Sequence, residues 1–301
     1  MQLDGLLFFP VTPFDTAGDL APEVLADHVA DGVDAGAGGV FAACGTGEFH
    51  ALDLAEYRQL VGAAVRAAAG RVPVLSGAGG PLPHARACAR AAAEAGADGL
   101  LLMPPYLVQG PGGGLESYVR QVAEASSLPV IIYQRSNARF SAEDVARLAK
   151  EPFVVGFKDG LGDIEHAQRV VLEVREAVGD EFLLFNGLPT AELSAPAYQA
   201  VGFDLYSSAA FAFVPEVAGA FHTALRNDDQ VVVQRLLSGF YRPFAELRDR
   251  VPGYAVSLVK AGARLRGRAV GPVRAPLVDP GPEHLAVLQR IIDDGLRLAR
   301  G

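Results

Sequence analysis

The sequence predicts an α/β fold, a (β/α)8 TIM barrel with a C-terminal helical extension, on three observations. Eight short apolar or β-branched runs alternate with Ala-, Glu- and Arg-rich stretches of helical periodicity. Runs such as VIIY, which ends at Tyr133, are apolar on both faces, as strands of a parallel sheet covered by helices are. Eight strand-helix units in succession are the number that closes a barrel.

The predicted strands follow one another at similar intervals along the first two thirds of the chain. They cover residues 6–10, 39–43, 72–77, 98–103, 129–133, 153–158, 181–186 and 203–207. The helices that follow them carry apolar residues at three- and four-residue spacing. They cover residues 22–35, 54–69, 84–95, 117–126, 142–150, 164–177, 189–200 and 215–226. A doubly wound open sheet shows the same alternation. It is disfavoured because FFPVTPFD, with two prolines, accompanies the first strand instead of a Gly-rich dinucleotide turn.

The chain is predicted to divide into a catalytic barrel over residues 1–226 and a helical extension over residues 227–301. Apolar periodicity predicts helices over 231–250, 254–266 and 283–300, separated by glycines and prolines. No cluster of polar residues in this extension resembles a site. We therefore expect it to pack on the barrel without forming a second catalytic domain.

Composition and charge exclude several classes of partner. The 301 residues are 50% hydrophobic with a net charge of -9, which gives no electrostatic attraction to nucleic acids or anionic membranes. Two cysteines, Cys44 and Cys88, cannot build a disulfide framework, and the six histidines lack metal-ligand spacing. The apolar run at 6–11 is too short to span a bilayer and has no basic region before it. We expect a cytoplasmic protein with a small-molecule substrate and no metal.

In a barrel of this class, reactive groups lie where strands end and the following loops begin. The polar or glycine residues at those positions form a short set. They are Thr12, Gly45, Thr46, Gly47, Glu48, Tyr106, Tyr133, Gln134, Arg135, Lys158, Asp159, Asn186, Ser207 and Ser208.

Lys158 is the strongest candidate for a catalytic residue. The chain has only three lysines, Lys150, Lys158 and Lys260, against 23 arginines, so a simple surface charge here would more often be Arg. The apolar run FVVGFK would desolvate the amine and favour its neutral, nucleophilic form. Arginine does not lose its proton in a protein and cannot serve this role. The structural alternative is a strand-end lysine paired with Asp159 or another carboxylate.

The other candidates divide into groups that transfer protons and groups that bind anions. The Tyr133 phenol, on the neighbouring strand, could relay a proton, and so could Ser207 or Ser208, of which strand alternation points one inward. The backbone of the loop Gly45–Thr46–Gly47 offers N–H groups to a carboxylate. Arg135 and Asn186 could bind a second polar end of the substrate. Three of these residues could instead have a structural role: Tyr133 could cap the barrel, Arg135 could be an exposed loop residue and Asn186 could cap a loop.

Taken together, these segments resemble the dihydrodipicolinate synthase and N-acetylneuraminate lyase superfamily. The similarity rests on FFPVTPFD, GTGE, PPYL, YQR, GFKDG and NG, and it covers the barrel and the helical C-terminus. The resemblance implies class I chemistry with Lys158 as the Schiff-base residue and Tyr133 as the proton-relaying phenol. It also implies a homo-oligomer, commonly a tetramer.

Departures from the superfamily pattern indicate one branch of it. The loop reads CGTGE where synthases and lyases usually have GTTGE, and Leu107 replaces a second tyrosine after PPY. The set GTGEF, PPYL, YQR, FNG and YSSA is most similar to the 5-dehydro-4-deoxyglucarate dehydratases. Ala212 stands where an Asn is frequent in relatives, which places one polar contact in doubt.

This resemblance implies loss of water and carbon dioxide from 5-dehydro-4-deoxyglucarate, giving 2,5-dioxopentanoate with no metal or redox cofactor. It assigns Tyr133 and Ser207 or Ser208 to proton transfer. The backbone of 45–47 would bind the carboxylate beside the ketone, and Arg135 with Asn186 the distal end. Two alternatives stay open: a pyruvate-dependent class I aldolase acting on a 2-keto-3-deoxy sugar acid, and a non-catalytic sugar-acid-binding barrel. A phosphosugar barrel is weakened because the loop after strand 8 lacks a Gly-rich phosphate cup.

Overall fold

The computed structural model describes residues 3–105 and 108–301. Eight parallel strands form a closed barrel in the order β1 to β8, each strand pairing with the next and β8 pairing with β1. The strands are β1 Leu6–Phe8, β2 Ala37–Ala42, β3 Val74–Ala78, β4 Gly99–Leu102, β5 Val130–Gln134, β6 Val154–Asp159, β7 Leu183–Asn186 and β8 Leu205–Ser208. The predicted (β/α)8 barrel is therefore confirmed.

An α-helix follows each strand and covers the outside of the barrel. These helices are α1 Pro22–Asp34, α2 Leu54–Ala68, α3 Leu82–Glu94, α4 Gly112–Ala123, α5 Ala142–Ala149, α6 Ile164–Val178, α7 Ala195–Ala200 and α8 Pro215–Arg226. The seventh differs most from its prediction over 189–200. Thr190 adopts a left-handed backbone and a one-turn helix spans Ala191–Leu193, so α7 begins only at Ala195, with Pro196 in its first turn.

Strand alternation separates two apolar layers. One layer fills the inside of the barrel and includes Leu7, Phe41, Phe185 and Leu205. The other lies between the sheet and the helices. Because each inward position is followed by an outward one, the last residues of a strand divide between the cavity and the outer layer.

Strand β6 departs from strict alternation. Val130 of β5 pairs with Val154, but Ile131 pairs with Gly156, so one extra residue, Val155, bulges out of the ladder. Beyond the bulge, Tyr133 pairs with Lys158, and both residues line the cavity. The bulge therefore sets the inward direction of the candidate catalytic lysine.

The chain after α8 is helical, as predicted. It comprises α9 Gln230–Leu236, a π-helical turn over Leu237–Tyr241, α10 Arg242–Arg248, α11 Tyr254–Leu265 and α12 Pro282–Ala299. The π-turn precedes Pro243, which has no N–H for the regular helical bond. Helix α12 packs on α8, α10 and α11. The division between residues 226 and 227 stays a prediction. In the described ranges, no helix is long and apolar enough to cross a membrane.

Candidate active site

A cavity of about 440 Å³ opens at the carboxyl ends of the strands. Its walls combine polar groups from the barrel with apolar side chains from the barrel and from the C-terminal helices. Among the lining residues are Phe9, Gly45, Thr46, Leu101, Tyr133, Arg135, Lys158, Ser207, Phe244, Arg248, Val256 and Leu277. This position and mixed lining are typical of an active site in this fold.

The amine of Lys158 lies in an apolar part of the cavity. Nζ is 4.2 Å from the centre of the Phe9 ring and 4.7 Å from that of Tyr133, and the residue is 5% exposed. Burial lowers the pKa of the Lys158 amine from 10.5 to about 7, and the charge of Arg135 acts in the same direction. A large share of the amine is therefore neutral near pH 7 and able to attack a carbonyl carbon.

Asp159 does not pair with Lys158. Its carboxylate faces the opposite side of the strand, where it accepts hydrogen bonds from Gln134 Nε2 at 3.0 Å, from the Tyr198 hydroxyl, and from two backbone N–H groups. Within the described part of the chain, Lys158 forms no salt bridge, whereas the other buried lysine, Lys260, is paired with Glu48. The structural alternative of a Lys158–Asp159 ion pair is thus not observed.

Tyr133 lies directly beside Lys158 on the neighbouring strand. Its hydroxyl donates to the carbonyl of Gly187 at 3.1 Å and lies 3.5 Å from Nη1 of Arg135. Burial raises the pKa of the Tyr133 phenol, while the charge of Arg135 partly opposes that rise. The phenol therefore carries its proton at neutral pH, and Arg135 stabilises the phenolate that would form if it gave that proton away.

The loop Gly45–Thr46–Gly47 borders the cavity, and Gly45 and Thr46 line its wall. Of the three N–H groups, none donates to a protein acceptor among residues 3–105 and 108–301. Thr12 is not on the cavity wall; its hydroxyl donates to the carbonyl of Gly47 at 2.5 Å. The Thr12 hydroxyl thus fixes the loop from the side away from the cavity wall.

The two serines at the end of β8 point in opposite directions. Ser207 lines the cavity. Ser208 is fully buried in the outer layer, where its hydroxyl donates to Glu192 Oε1 at 2.6 Å and accepts from the N–H of Phe211 at 3.1 Å. Of the two serines, Ser207 is therefore the one on the cavity wall, and the structure places Ser208 away from the cavity.

The structure places the side chain of Asn186, which was predicted to bind the distal end of the substrate, outside the cavity wall. Phe185 belongs to the inner layer, so the next residue faces outward. The Asn186 amide donates to the Ala191 carbonyl at 3.0 Å and to the Ser194 hydroxyl at 2.8 Å, and its oxygen accepts from the N–H of Leu188 at 3.1 Å. Asn186 is a buried loop cap.

Two glycines allow close approach around Lys158 and Tyr133. A Cβ at Gly187 would lie 2.6 Å from Lys158 Cε and 2.8 Å from the Asp159 carbonyl oxygen. A Cβ at Gly160 would lie 2.9 Å from Cε2 of Tyr133. The glycines of the NG and GFKDG segments are therefore required because the reactive side chains pack against their backbone.

Sequence reasoning missed the contribution of the C-terminal helices to the cavity. Arg248, at the end of α10, reaches the loop after β7, where its Nη1 donates to the Pro189 carbonyl at 2.8 Å and to Thr190 Oγ1 at 2.7 Å. Nothing in its own helical segment distinguishes it from the many surface arginines, so only the fold could reveal it.

Tyr106 and Leu107 lie outside the described residues. Ala212 is buried in the outer layer and is not part of the cavity wall. Over the residues that the structure describes, no group of three or more His, Cys, Asp or Glu side chains is arranged to hold a metal ion.

Comparisons with known proteins agree with this geometry. The model of the dihydrodipicolinate synthetase family matches residues 2–294. A Streptomyces coelicolor protein named probable 5-dehydro-4-deoxyglucarate dehydratase 1 is 58% identical over 292 residues, which are 97% of this chain and 92% of the relative. The crystal structure of dihydrodipicolinate synthase from Bacillus clausii matches with a TM-score of 0.88 and 27% identity, over 97% of both chains.

A second solved structure carries a small keto acid. It is YagE, a prophage protein of the dihydrodipicolinic acid synthase family from E. coli K12, solved in complex with pyruvate. It matches with a TM-score of 0.87 and 25% identity, over 99% of this chain and all of its own. With a family model that matches almost the whole sequence and a barrel of the same architecture, the chain belongs to the dihydrodipicolinate synthetase family.

Proposed function

We propose that the protein is a Schiff-base-forming lyase that converts 5-dehydro-4-deoxy-D-glucarate to 2,5-dioxopentanoate, water and carbon dioxide. The observation that carries the proposal is the buried Lys158 amine, which lies in the cavity beside Tyr133 without a carboxylate partner among the described residues. The name of the Streptomyces coelicolor relative agrees with this substrate.

Electron flow through one imine accounts for both losses. The Lys158 nitrogen adds to the C5 ketone and water leaves, which gives an iminium. The iminium acidifies the C4 protons, and loss of one of them forms an enamine. The enamine expels the C3 hydroxyl as water, and the C1–C2 bond electrons then flow into the conjugated iminium as carbon dioxide departs. Reprotonation, tautomerisation of the C2 enol to an aldehyde, and hydrolysis release the product and free Lys158.

The chemistry needs neither a metal nor a redox cofactor because the iminium is the electron sink. We assign proton transfer at C4 and at the departing hydroxyl to Tyr133 and Ser207, which both border the cavity. The N–H groups of 45–47 bind the carboxylate next to the ketone. Arg135, an exposed residue near the Tyr133 hydroxyl, binds the distal hydroxy acid, and Arg248 borders the same space.

Incubation with 5-dehydro-4-deoxyglucarate tests the proposed reaction directly. We expect one carbon dioxide and one 2,5-dioxopentanoate for each substrate consumed. Formation of pyruvate without carbon dioxide would instead establish the aldolase. A barrel that binds the sugar acid and leaves it unchanged would establish the non-catalytic alternative.

Borohydride reduction with substrate tests the covalent role of Lys158. We expect a mass adduct on the peptide that contains Lys158, and neither adduct nor turnover in Lys158→Arg, which keeps the charge but lacks a nucleophilic amine. Lys150→Arg is the matched control, because Lys150 is an exposed lysine and its replacement should leave both intact. An adduct that persists in Lys158→Arg would refute the assignment.

The homotetramer implied by the family resemblance and the cytoplasmic location stay predictions. Light scattering coupled to size-exclusion chromatography measures the number of chains in the assembly. A mass of four chains is the expected result.

A further inference from the structure

The carboxylate-binding loop is joined to the C-terminal helices by a fully buried ion pair. Nζ of Lys260, on α11, donates to Oε1 of Glu48 at 2.7 Å, and both side chains are 0% exposed. The other oxygen, Oε2, accepts from the backbone N–H of Arg274 at 2.8 Å. The Phe14 ring lies under both cations, with its centre 4.1 Å from Lys260 Nζ and 3.9 Å from Arg274 Cζ.

Glu48 directly follows the loop 45–47. Its backbone is left-handed, with φ of 54°, and its N–H donates to the Gly45 carbonyl at 3.2 Å, which closes the turn. A left-handed backbone is unfavourable for a residue with a side chain, so surrounding contacts must hold it. The hydrogen bonds that the Glu48 carboxylate accepts from Lys260 and from the N–H of Arg274 supply those contacts.

The proposed reaction makes no use of this ion pair. Glu48 and Lys260 are absent from the cavity wall. A buried ion pair adds little net stability relative to apolar residues of the same size, because both charges lose their hydration. What such a pair does specify is geometry, since each charge tolerates few other arrangements once it is buried.

We propose that Lys260 is a positioning residue that fixes the 45–47 loop, through Glu48, in the conformation that binds the carboxylate next to the substrate ketone. The inference rests on the proposed function, because it takes Lys158 as the amine that forms the imine. Recognition of the keto-acid carboxylate therefore depends on a residue outside the predicted barrel domain. A ketone without that carboxylate does not use the loop.

Trapping of two small carbonyl compounds separates positioning from general damage. Pyruvate carries the carboxylate, and acetone is a ketone of similar size without it. The rate of borohydride-trapped adduct at Lys158 is measured by peptide mass for each compound. In Lys260→Met, we expect the ratio of the pyruvate rate to the acetone rate to fall by about 10-fold or more, as for misplacement of a binding group. A purely structural defect would lower both rates together and leave the ratio unchanged.

Removal of Lys260 alone leaves the Glu48 charge buried without its partner, so a second variant protects the test against misfolding. In Lys260→Met combined with Glu48→Gln, neither residue is charged, and we expect the same fall in the ratio. Lys150→Met, which removes an exposed lysine, is the control and should keep the wild-type ratio. If the folded double variant kept the wild-type ratio of pyruvate to acetone trapping, the positioning role of Lys260 would be overturned and the proposed function would stand. A wild-type protein that forms no adduct at Lys158 with either compound would overturn the proposed function as well.

Discussion

The protonation state of one amine controls the proposed chemistry. Burial lowers the pKa of Lys158 to about 7, so the neutral form dominates above that pH and the charged form below it. A neutral amine attacks the ketone and a charged one does not. The cavity thus lets a lysine act as a nucleophile near neutral pH.

The rate of imine formation should therefore rise with pH and level off just above neutrality. Below pH 7, we expect the rate of pyruvate trapping at Lys158 to fall about 10-fold for each pH unit, because the neutral fraction falls by that factor. Rapid quenching with borohydride at a series of pH values gives the profile. A midpoint close to the ordinary lysine pKa of 10.5 would contradict the desolvated environment.

At Gly187, the addition of a single methyl group should cause a large loss of turnover. A methyl group there would overlap Cε and Cγ of Lys158 and the Asp159 carbonyl oxygen. For Gly187→Ala, we expect turnover to fall by about 100-fold, because the amine is displaced from its reactive position. Steady-state kinetics measures the loss, and an unchanged rate would mean that Lys158 has another productive conformation. Gly110→Ala, where a Cβ meets no atom of the described residues within 4 Å, is the control.

At the scale of single strands, alternation decides which polar residues face the cavity. The sequence identifies Ser207, Ser208 and Asn186 only as strand-end residues, because the exact end of a strand is not encoded by any one position. The phase of β7 and β8 is fixed by their apolar residues, with Phe185 and Leu205 inside the barrel. Counting onward from these two anchors would have separated Ser207 from Ser208 and assigned Asn186 to the outside.

In strand β6, alternation from one residue to the next does not predict the direction of Lys158. From an outward Val154, strict alternation would direct Lys158 outward as well, but the bulge at Val155 reverses the phase. A bulge depends on the register with the neighbouring strand, and the sequence of β6 alone does not contain that information. Lys158 was identified by its chemistry, as a rare lysine that follows an apolar run, and not by its phase.

The serine pair of β8 gives a matched test of this alternation. Ser207→Ala should lower turnover by about 100-fold, because a proton-transfer group is lost, with little change in stability. Ser208→Ala should lower the free energy of unfolding by about 1–3 kcal/mol, because Glu192 Oε1 loses its buried donor. Denaturant unfolding and steady-state kinetics on both variants measure the two quantities. The opposite pattern would mean that the two side chains have exchanged faces.

On the scale of the whole molecule, the sequence was enough to predict the number and order of the strands. It was not enough to predict the contacts between the C-terminal helices and the loops at the cavity. Local periodicity is enough to locate eight strand-helix units. The contacts of Arg248 with the loop after β7, and of Lys260 with Glu48, join segments far apart in the chain. Their own helices identify them only as cations, so no local pattern could predict that Arg248 lines the cavity or that Lys260 pairs with Glu48.

Stability of the whole fold should decrease in mild acid because of His28. This side chain is buried against Phe8, and neither ring nitrogen has a hydrogen-bond partner among the described residues. Burial lowers the pKa of the His28 imidazole from 6.5 to about 3, and the charge of Arg268 adds to the effect. The unfolded chain therefore binds a proton below pH 6.5 that the folded chain binds only near pH 3, so stability is lost as the pH falls through this range.

Substitution of His28 by leucine should remove that dependence. Between pH 7 and pH 5, the wild type should lose about 2 kcal/mol more unfolding free energy than His28→Leu, at about 1.4 kcal/mol per pH unit below 6.5. Urea unfolding at the two pH values gives the difference. Equal losses in the two proteins would assign the acid sensitivity to other groups.

The separation of Glu48 and Lys260 by 212 positions also bears on how the enzyme matures during synthesis. A ribosome exposes Lys158 long before it has translated the helix that carries Lys260. Until then, the nascent chain contains Lys158 but lacks Lys260, the partner of Glu48 that fixes the 45–47 loop. A polypeptide that ends before α11 therefore contains the reactive amine without the contact that fixes the loop for a keto-acid carboxylate.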